Sequence, residues 1–485
     1  MRNTTARSTL SIAISTALYT AIYTGMALLS VLAPLQAAES TSSTLSDSEI
    51  LKHFQSLVQI QSSDPPGREQ DVTDYLRQTL EAEGIEVQLF TKEENRPNLV
   101  ARMRGNGSKQ PLLLMAHQDT VNIDASKWTF PPFGATRDSG WIYGRGTLDD
   151  KDNLTASLMT MLALKRSGVE LDRDLIFLAE AGEEGSSHLG IQYMVENHFD
   201  AIDAEFCLAE GGSVRRQQGK EYFVGVQTGE KLPKALELIA HGVSGHASIP
   251  LQSNAVVSLS RAIVKVAEWQ PPVRLSDATA SYFSQLARIT ADPAAAARYR
   301  AILNPNSAEA QAALEYFRRD EPATAAILSS TISPTMTEAG YRINVIPSET
   351  RATLDTRLLP DEDESSFLAQ VTAVVADPAV EVVWVPRDNV PAASTSLSTA
   401  AYQAIESIFG AEYAAPVLPV TGTGATDMRS LRGKGIQCYG VGPGIDIEDG
   451  ALGFGQHSDQ ERILEQELYR FVRAYSEVVV ALTTE

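Results

Sequence analysis

The sequence predicts an α/β fold with helices on both faces of a mixed sheet, interrupted by a second, α+β domain. Between residues 46 and 229, apolar runs of strand length alternate with amphipathic helical patterns, the order typical of a sheet covered by helices. This pattern changes after Gly229 and resumes at residue 393. We therefore predict one domain built from residues 46–229 and 393–485, and an inserted domain spanning residues 230–392.

The elements follow in chain order. In the first segment we expect helices at 46–60, after Pro65-Pro66-Gly67, at 152–167 and at 187–198. The strands expected there are Val87–Phe90, Asn98–Met103, Pro111–His117, Leu175–Ala179, Glu205–Leu208 and Tyr222–Gln227. In the insert, strands are expected at Ala235–Ala240, Ala325–Ile332, Tyr341–Leu359 and Val380–Val385, and helices at 253–268, 280–319 and 361–375. The last segment should hold a helix at 397–409, strands Val417–Val420 and Ile436–Val441, and a long helix at 459–482.

The N-terminus reads as an export signal. Arg2 and Arg7 precede an uncharged, mostly apolar stretch that ends in Ala37-Ala38-Glu39, which is the order of a secretory leader. We expect residues 1–38 to be a signal peptide, so that the protein is periplasmic or secreted. An uncleaved membrane anchor is the alternative, because the apolar stretch is long.

The net charge and the number of cysteines exclude several kinds of binding partner and site. The formal net charge of −21 opposes binding to nucleic acid or to anionic lipid, so we expect no nucleic-acid partner and no membrane contact beyond the signal segment. The two cysteines, Cys207 and Cys438, are too few for a structural zinc site. Both lie in apolar strand-like runs, which favours buried free thiols at least as much as a disulfide.

Metal-ligand residue types recur where strands end, and ligands bind at the carboxyl ends of strands in such sheets. Five places carry them: His117-Gln-Asp119, Asp149-Asp150, Glu183-Glu184, Glu210-Gly-Gly and His457. Each has a structural alternative when taken alone. His117 and Asp119 could be a hydrogen-bonded loop pair, the aspartates could be helix caps, and the adjacent glutamates could be a solvated loop.

Taken together and in this order, these motifs resemble the two-zinc hydrolases that include aminoacylase, carboxypeptidase G and succinyl-diaminopimelate desuccinylase. The carboxypeptidase S branch is the most similar. The resemblance runs from about residue 46 to the end, and it implies a zinc-hydrolase catalytic domain with an inserted lid/dimerisation domain. It also implies two Zn²⁺ per subunit, a homodimer formed through the lid, and a cis peptide between Asp149 and Asp150.

The resemblance assigns roles to individual residues. One zinc would be held by His117, Asp149 and Glu210, and the other by Asp149, Glu184 and His457. Asp119 would orient His117, and Glu183 would be the general base. Three carboxylates, two Zn²⁺ and one hydroxide would give a neutral site.

Further motifs point to the lid and the substrate. The segment around His246 resembles the family's lid histidine, which donates a hydrogen bond to the oxyanion, whereas we read His241 as structural. Asn344, Arg357, Thr426 and Arg429 match substrate-binding segments, with the two arginines as candidate clamps for a carboxylate. A structural Asp355–Arg357 pair is an equal alternative for Arg357.

Three functions remain open at this level. The first is a metallopeptidase that cleaves the amide bond beside a free carboxylate in a small peptide, as a carboxypeptidase or dipeptidase. The second is an N-acyl-amino-acid hydrolase that acts on the same kind of anionic end. The third, from another class, is a non-catalytic protein that binds a peptide or a metal.

Overall fold

The computed structural model describes residues 44–386 and 393–484, which form two compact units. Of the described residues, the first unit contains 44–206, 403–412 and 449–484, and the second contains 207–386, 393–402 and 413–448. The predicted signal segment lies outside the described residues. Within the described ranges, no helix combines the length and the apolar character that crossing a membrane needs.

The first unit is an α/β unit. Its helices are α1 (Asp47–Val58), α2 (Glu69–Ala82), α3 (Lys151–Ser167), α4 (Ile191–Asn197) and α14 (Glu465–Thr483). Its strands are β1 (Glu86–Thr91), β2 (Pro97–Met103), β3 (Leu112–His117), β4 (Thr136–Asp138), β5 (Trp141–Tyr143), β6 (Leu175–Glu180) and β19 (Arg462–Leu464). Strand β7 (Phe206–Ala209) begins in this unit and continues in the second.

The central strands of this unit lie in the order β1-β2-β6-β3 and form a mixed sheet. β1 and β2 are antiparallel, β2 and β6 are antiparallel, and β3 runs parallel to β6. Every residue of β3 and β6 is buried, as expected for parallel strands covered on both faces. The register pairs His117 with Glu180, so the carboxyl ends of β3 and β6 lie side by side.

Helix α3 covers β3 and is buried along nearly its whole length. Its residues 151–164 are all buried, because α1 and α14 pack on the side that faces away from the sheet. The helix ends at Gly168, which adopts the left-handed conformation that glycine favours at a helix C-terminus. Its first residue follows directly on Asp149-Asp150, so the packing of this helix fixes the backbone of that motif.

The second unit contains the remaining elements. Its helices are α5 (Ala255–Glu268), α6 (Asp277–Ile289), α7 (Pro293–Ile302), α8 (Ala308–Asp320), α9 (Pro322–Ala326), α10 (Glu364–Val375), α11 (Ala400–Tyr413), α12 (Met428–Arg432) and α13 (Ile447–Leu452). Helices α11 and α13 also contain residues of the first unit. Its strands are β8 (Ser213–Gln217), β9 (Lys220–Glu230), β10 (Leu232–His241), β11 (Gly245–His246), β12 (Thr331–Ala339), β13 (Val345–Ile346), β14 (Glu349–Leu358), β15 (Val380–Trp384), β16 (Val417–Gly422), β17 (Gln437–Gly440) and β18 (Gly444–Asp446).

Two groups of strands organise this unit. Strands β17, β9, β8 and β18 are neighbours in that order, and β16 pairs with β9 in parallel. A separate antiparallel sheet has the order β12-β14-β10-β15, and α5 and α10 pack on it around a core that includes Leu236, Leu354 and Phe367. The second unit starts ahead of residue 230, because the strands on both sides of that residue pair within it.

The α/β class and the mixed sheet are confirmed, but several local predictions are wrong. The helix expected at 280–319 is divided into α6, α7 and α8, because Asp292 and Ser307 cap the starts of new helices. The strand predicted at Ala325–Ile332 begins only at Thr331. Residues 322–326 form helix α9 instead, because Pro322 is preset for the first helical turn. The strand predicted at Tyr341–Leu359 is interrupted between β13 and β14, where Pro347 stands. The last helix begins at Glu465 and not at residue 459, because Arg462–Leu464 pair with β5.

Candidate functional site

Two of the predicted motifs meet at one edge of the first unit's sheet. His117 is the last residue of β3, and Glu183 and Glu184 follow β6 after a short turn. Because β3 and β6 are parallel neighbours, their carboxyl ends deliver these residues to the same place. The buried Asp150 carboxylate accepts a hydrogen bond from the main-chain N–H of His117 (3.2 Å), which ties the start of α3 to the end of β3.

Asp149 is the centre of this cluster. Its Oδ1 lies 2.8 Å from Nε2 of His117, and its Oδ2 lies 3.0 Å from Nε2 of His457. The same His457 nitrogen lies 3.1 Å from Oε1 of Glu184. The carboxylate therefore offers one oxygen to each of two histidines that come from opposite ends of the sequence. The peptide bond between Asp149 and Asp150 is cis, as the family resemblance implies.

His457 approaches from the segment that precedes β19, and its side chain is 53% exposed. Its backbone adopts a left-handed φ of 61°, which is uncommon for a residue other than glycine. Such a conformation is found at functional sites, where surrounding contacts hold it in place. No sequence pattern around His457 signals this backbone geometry.

Asp119 does more than the sequence suggests. Its buried carboxylate accepts hydrogen bonds from the main-chain N–H groups of Glu183 (3.2 Å, Oδ1) and Glu184 (3.0 Å, Oδ2). The Nδ1 atom of His117 lies closer to the main-chain oxygen of Asp119 (3.1 Å) than to its carboxylate (3.5 Å). Asp119 thus orients His117 through both its carbonyl and its carboxylate, and also fixes the turn that carries the two glutamates.

The candidate base Glu183 is half-buried and stands beside this cluster. One of its carboxylate oxygens lies within 4.8 Å of a ring nitrogen of His117. Its backbone N–H is held by the carboxylate of Asp119 (3.2 Å). The position is suited to a group that exchanges protons with a molecule bound next to the histidine.

Electrostatics in the cluster favour charged forms. Burial opposes ionisation of Asp149, but hydrogen bonds from His117 and His457 outweigh it and keep the pKa of Asp149 below its ordinary value. The carboxylates of Asp149 and Glu184 raise the pKa of His457 to about 10. Burial opposes protonation of His117, yet Asp119 and Asp149 raise its pKa well above its ordinary value. Protonated imidazoles therefore balance the negative charge of the carboxylates. Bound cations would balance the same charge.

The donor set fits divalent cations of the zinc type. His117, Asp149 and Glu184 each present a ligand atom within 4.8 Å of the others. Imidazole nitrogens and carboxylate oxygens, without cysteine, are the ligands that zinc takes at catalytic sites. The two oxygens of Asp149, each facing a different histidine, fit a carboxylate that bridges two ions.

The other predicted residues lie in the second unit. Glu210 directly follows β7, so it stands at the carboxyl end of a strand as predicted, and its role as a ligand stays a prediction. His246 and Asn344 lie together, because β11 pairs with β13 and the main-chain oxygen of Asn344 accepts a hydrogen bond from Ala247 (3.1 Å). Nδ1 of the exposed His246 accepts a hydrogen bond from the N–H of Ser248 (3.2 Å), which leaves Nε2 to carry the proton in the neutral ring.

The candidate carboxylate clamps have different surroundings. Arg357 forms a two-bond pair with Asp355 (2.8 and 3.1 Å), which is the contact expected of the structural alternative. The N–H and the hydroxyl of Thr426 both donate to Oε2 of Glu230 (2.7 and 2.8 Å). Within residues 44–386 and 393–484, the buried Nε of Arg429 has no hydrogen-bond partner, so this guanidinium retains a donor.

Glu230 is a functional residue that no sequence pattern indicates. It is almost fully buried and accepts hydrogen bonds from Thr426 and from Nε2 of Gln227 (3.1 Å). It therefore anchors the loop that contains the predicted substrate-binding residues. A lone acid at the junction of two strands carries no sequence signal for this role. Cys207 and Cys438 are also in this unit, as buried thiols and not as a disulfide.

Residues 113–481 match the model of the peptidase family M20/M25/M40. The human N-fatty-acyl-amino acid synthase/hydrolase PM20D1 is 28% identical over 353 residues, which cover 70% of this chain and 66% of that protein. The probable carboxypeptidase S-like 2 of Dictyostelium discoideum is 26% identical over 339 residues, which cover 67% and 64%. The matched part of this chain thus spans slightly less than two thirds of each of these relatives.

Solved structures show the same fold at low sequence identity. An M20 family metallo-carboxypeptidase from Sulfolobus solfataricus superimposes with a TM-score of 0.66 at 21% identity, covering 89% of this chain and 98% of that one. A dinuclear metal-binding M20 peptidase from Bacillus subtilis superimposes with a TM-score of 0.58 at 14% identity, covering 90% and 98%.

We expect the affinity of the metal-free protein for zinc to rise with pH between 6 and 8. The neighbouring carboxylates raise the pKa of His457 to about 10 and raise that of His117 above its ordinary value, so each ring holds its proton more tightly and must lose it before a cation binds. Each ion that displaces one proton should bind about tenfold more tightly per pH unit. Zinc titrations at pH 6, 7 and 8, with proton release measured in weak buffer, test this. An affinity that does not change with pH would contradict it.

Proposed function

This chain belongs to the peptidase family M20/M25/M40, and on that premise we propose that it binds two zinc ions and cleaves an amide bond beside a free carboxylate. As a family member it is a metal-dependent hydrolase. The observation that carries the proposal is the placement of Asp149 between His117 and His457, with one carboxylate oxygen for each. We assign His117, Asp149 and Glu210 to one ion, and Asp149, Glu184 and His457 to the other.

The residues of the chain have distinct tasks in this reaction. Bound zinc would act as a Lewis acid toward the scissile carbonyl and lower the pKa of a water molecule. The Glu183 carboxylate takes a proton from the attacking water and passes it to the leaving amine. Nε2–H of His246 donates a hydrogen bond to the oxyanion that develops on the carbonyl. Arg429, whose Nε has no hydrogen-bond partner among the described residues, binds the free carboxylate of the substrate.

We propose a small peptide with a free C-terminus as the substrate, as in a carboxypeptidase or dipeptidase.

The exposure of apolar side chains in the second unit makes an N-acyl-amino-acid hydrolase the second candidate function. Beside His246 and Asn344 the chain exposes large apolar side chains, with Ile249 at 66%, Tyr341 at 83% and Ile343 at 99% exposure. An acyl chain would bury such groups from water. A relative with a similar sequence carries the name of an N-fatty-acyl-amino acid synthase/hydrolase.

Replacing Glu183 by Gln tests the mechanism. Without a group that accepts a proton, turnover should fall about 10²- to 10⁴-fold, while both zinc ions remain bound. The assay would use zinc-loaded protein with dipeptides, C-terminally free peptides and N-acyl amino acids of increasing chain length.

Glu184→Gln is the matched control, because it should lose zinc together with activity. Turnover of Glu183→Gln equal to that of the unaltered protein would rule out the assigned base. Failure of the unaltered zinc-loaded protein to cleave any compound of this panel would favour a non-catalytic binding protein.

Replacing His246 by Ala tests the oxyanion donor. Loss of one such donor should lower kcat about 10²- to 10³-fold and leave the zinc content unchanged. His241→Ala is the control, because His241 only faces Glu349 (3.6 Å) and Glu381 (3.8 Å) at the surface. Loss of zinc in step with activity would instead make His246 structural or a metal ligand.

We also propose that the protein is exported and that residues 1–38 are removed. The basic start, the apolar stretch and the small residues at 37–38 support this proposal. Mass spectrometry of the protein recovered from the periplasm or medium should give an N-terminus near Glu39. An intact N-terminus in a membrane fraction would indicate the anchor, and recovery only from the cytoplasm would refute export.

A further inference from the structure

We propose that Glu461 is a positioning residue that sets the distance between Asp149 and His457, and with it the affinity for one of the two zinc ions. The inference rests on the proposed function, since it concerns the ligands of the same centre. The Glu461 carboxylate is buried and has no task in the proposed reaction. Glu461 lies four residues after His457 and is fully buried.

The side chain of Glu461 accepts three hydrogen bonds from the loop that ends in Asp149. Oε1 accepts from the N–H of Leu148 (2.8 Å), and Oε2 accepts from the N–H of Gly146 (3.2 Å). The guanidinium of Arg145 also donates to Oε2 (2.6 Å). One carboxylate thus fixes three of the four residues that precede Asp149.

The contact between the two segments is reciprocal. The main-chain oxygen of Glu461 accepts a hydrogen bond from the N–H of Gly144 (3.0 Å). At the other end, Nε2 of Gln456 donates to the main-chain oxygen of Leu148 (3.0 Å). The segment from Gln456 to Glu461 therefore binds the loop from Gly144 to Leu148 at both ends. Each segment carries one candidate ligand beside such a contact: Asp149 follows Leu148, and His457 follows Gln456.

This arrangement serves geometry more than stability. Burying an ion pair such as Arg145–Glu461 costs desolvation that its attraction roughly offsets, so an apolar pair of similar size would be as stable. An apolar pair would leave the N–H groups of Gly146 and Leu148 without a directed acceptor. Gly146 itself has a φ of 85°, so the loop follows a path that needs specific contacts to hold it. The carboxylate supplies these contacts directly before the shared aspartate.

The effect should differ between the two zinc ions. The segment from Gln456 to Glu461 contributes His457 and holds Asp149, and these residues are two of the three ligands assigned to one ion. The other ion also uses His117 and Glu210, which this segment does not contain. Supporting contacts behind metal ligands typically change metal affinity by about 10- to 100-fold. We therefore expect the larger loss of affinity at the ion held by His457.

The experiment is a zinc titration of the metal-free full-length protein against a competing chelator. The unaltered protein should bind two ions. Glu461→Gln places an amide NH₂ against the N–H donors of the loop. It should bind the ion held by His457 about 10- to 100-fold more weakly, and weaken the other ion, which shares only Asp149 with this segment, by less. Gln456→Ala, at an exposed position, removes only the contact with Leu148 and should weaken the ion held by His457 by less.

Glu467→Gln is the matched control. This buried carboxylate also pairs with an arginine, Arg470 (2.9 Å), and both residues belong to α14. It should leave both zinc affinities unchanged.

The inference is overturned if the unaltered protein binds two ions and both Glu461→Gln and Gln456→Ala bind them as tightly as the unaltered protein does. It is also overturned if Glu467→Gln weakens the same ion to the same extent, because that result means general destabilisation. Failure of the unaltered protein to bind two ions would count against the proposed function instead.

Discussion

The sharing of the Asp149 carboxylate between His117 and His457 is the interaction on which the rest of the structure depends. One residue ends a buried strand, one precedes a buried helix and one lies close to the C-terminal helix. A carboxylate between two imidazoles is stable here because each oxygen has a cationic partner, either a protonated ring or a bound metal ion. Each histidine lies about 3 Å from its own oxygen of Asp149, and the contacts around these residues hold that spacing.

Two buried acids, Asp119 and Glu461, support different parts of this cluster. Asp119 lies behind His117 and holds the turn of Glu183 and Glu184 by its main-chain N–H groups, so the candidate base and a candidate ligand move together with the histidine. Glu461 lies behind Asp149 and holds its loop from the other side. Both are buried acids whose oxygens accept main-chain hydrogen bonds. A buried carboxylate is costly without such partners, which explains why each has several.

The second unit shows the same use of buried acids for substrate-binding segments. Glu230 binds the loop of Thr426, and its neighbour Lys231 donates to the main-chain oxygens of Ala326 and Ser329 (both 2.9 Å). Two adjacent charged residues at the junction of β9 and β10 therefore anchor two distant segments of this unit. The lysine is fully buried, and burial lowers its pKa to about 7. The hydroxyl of Thr426 already donates to Glu230, so toward a substrate it can act only as an acceptor.

The sequence by itself determined the fold class, the alternation of elements and the places where metal-ligand residues follow strands. Hydrophobic periodicity and strand length are local properties, and they located β3, β6 and α3 within a few residues. Local patterns failed where distant pairing decided the outcome, as in β19, which forms only because β5 lies beside it. The roles of Asp119, Glu230 and Glu461 were likewise decided by the tertiary structure. Their hydrogen bonds join residues up to 316 positions apart, and the spacing along a chain carries no information about such contacts.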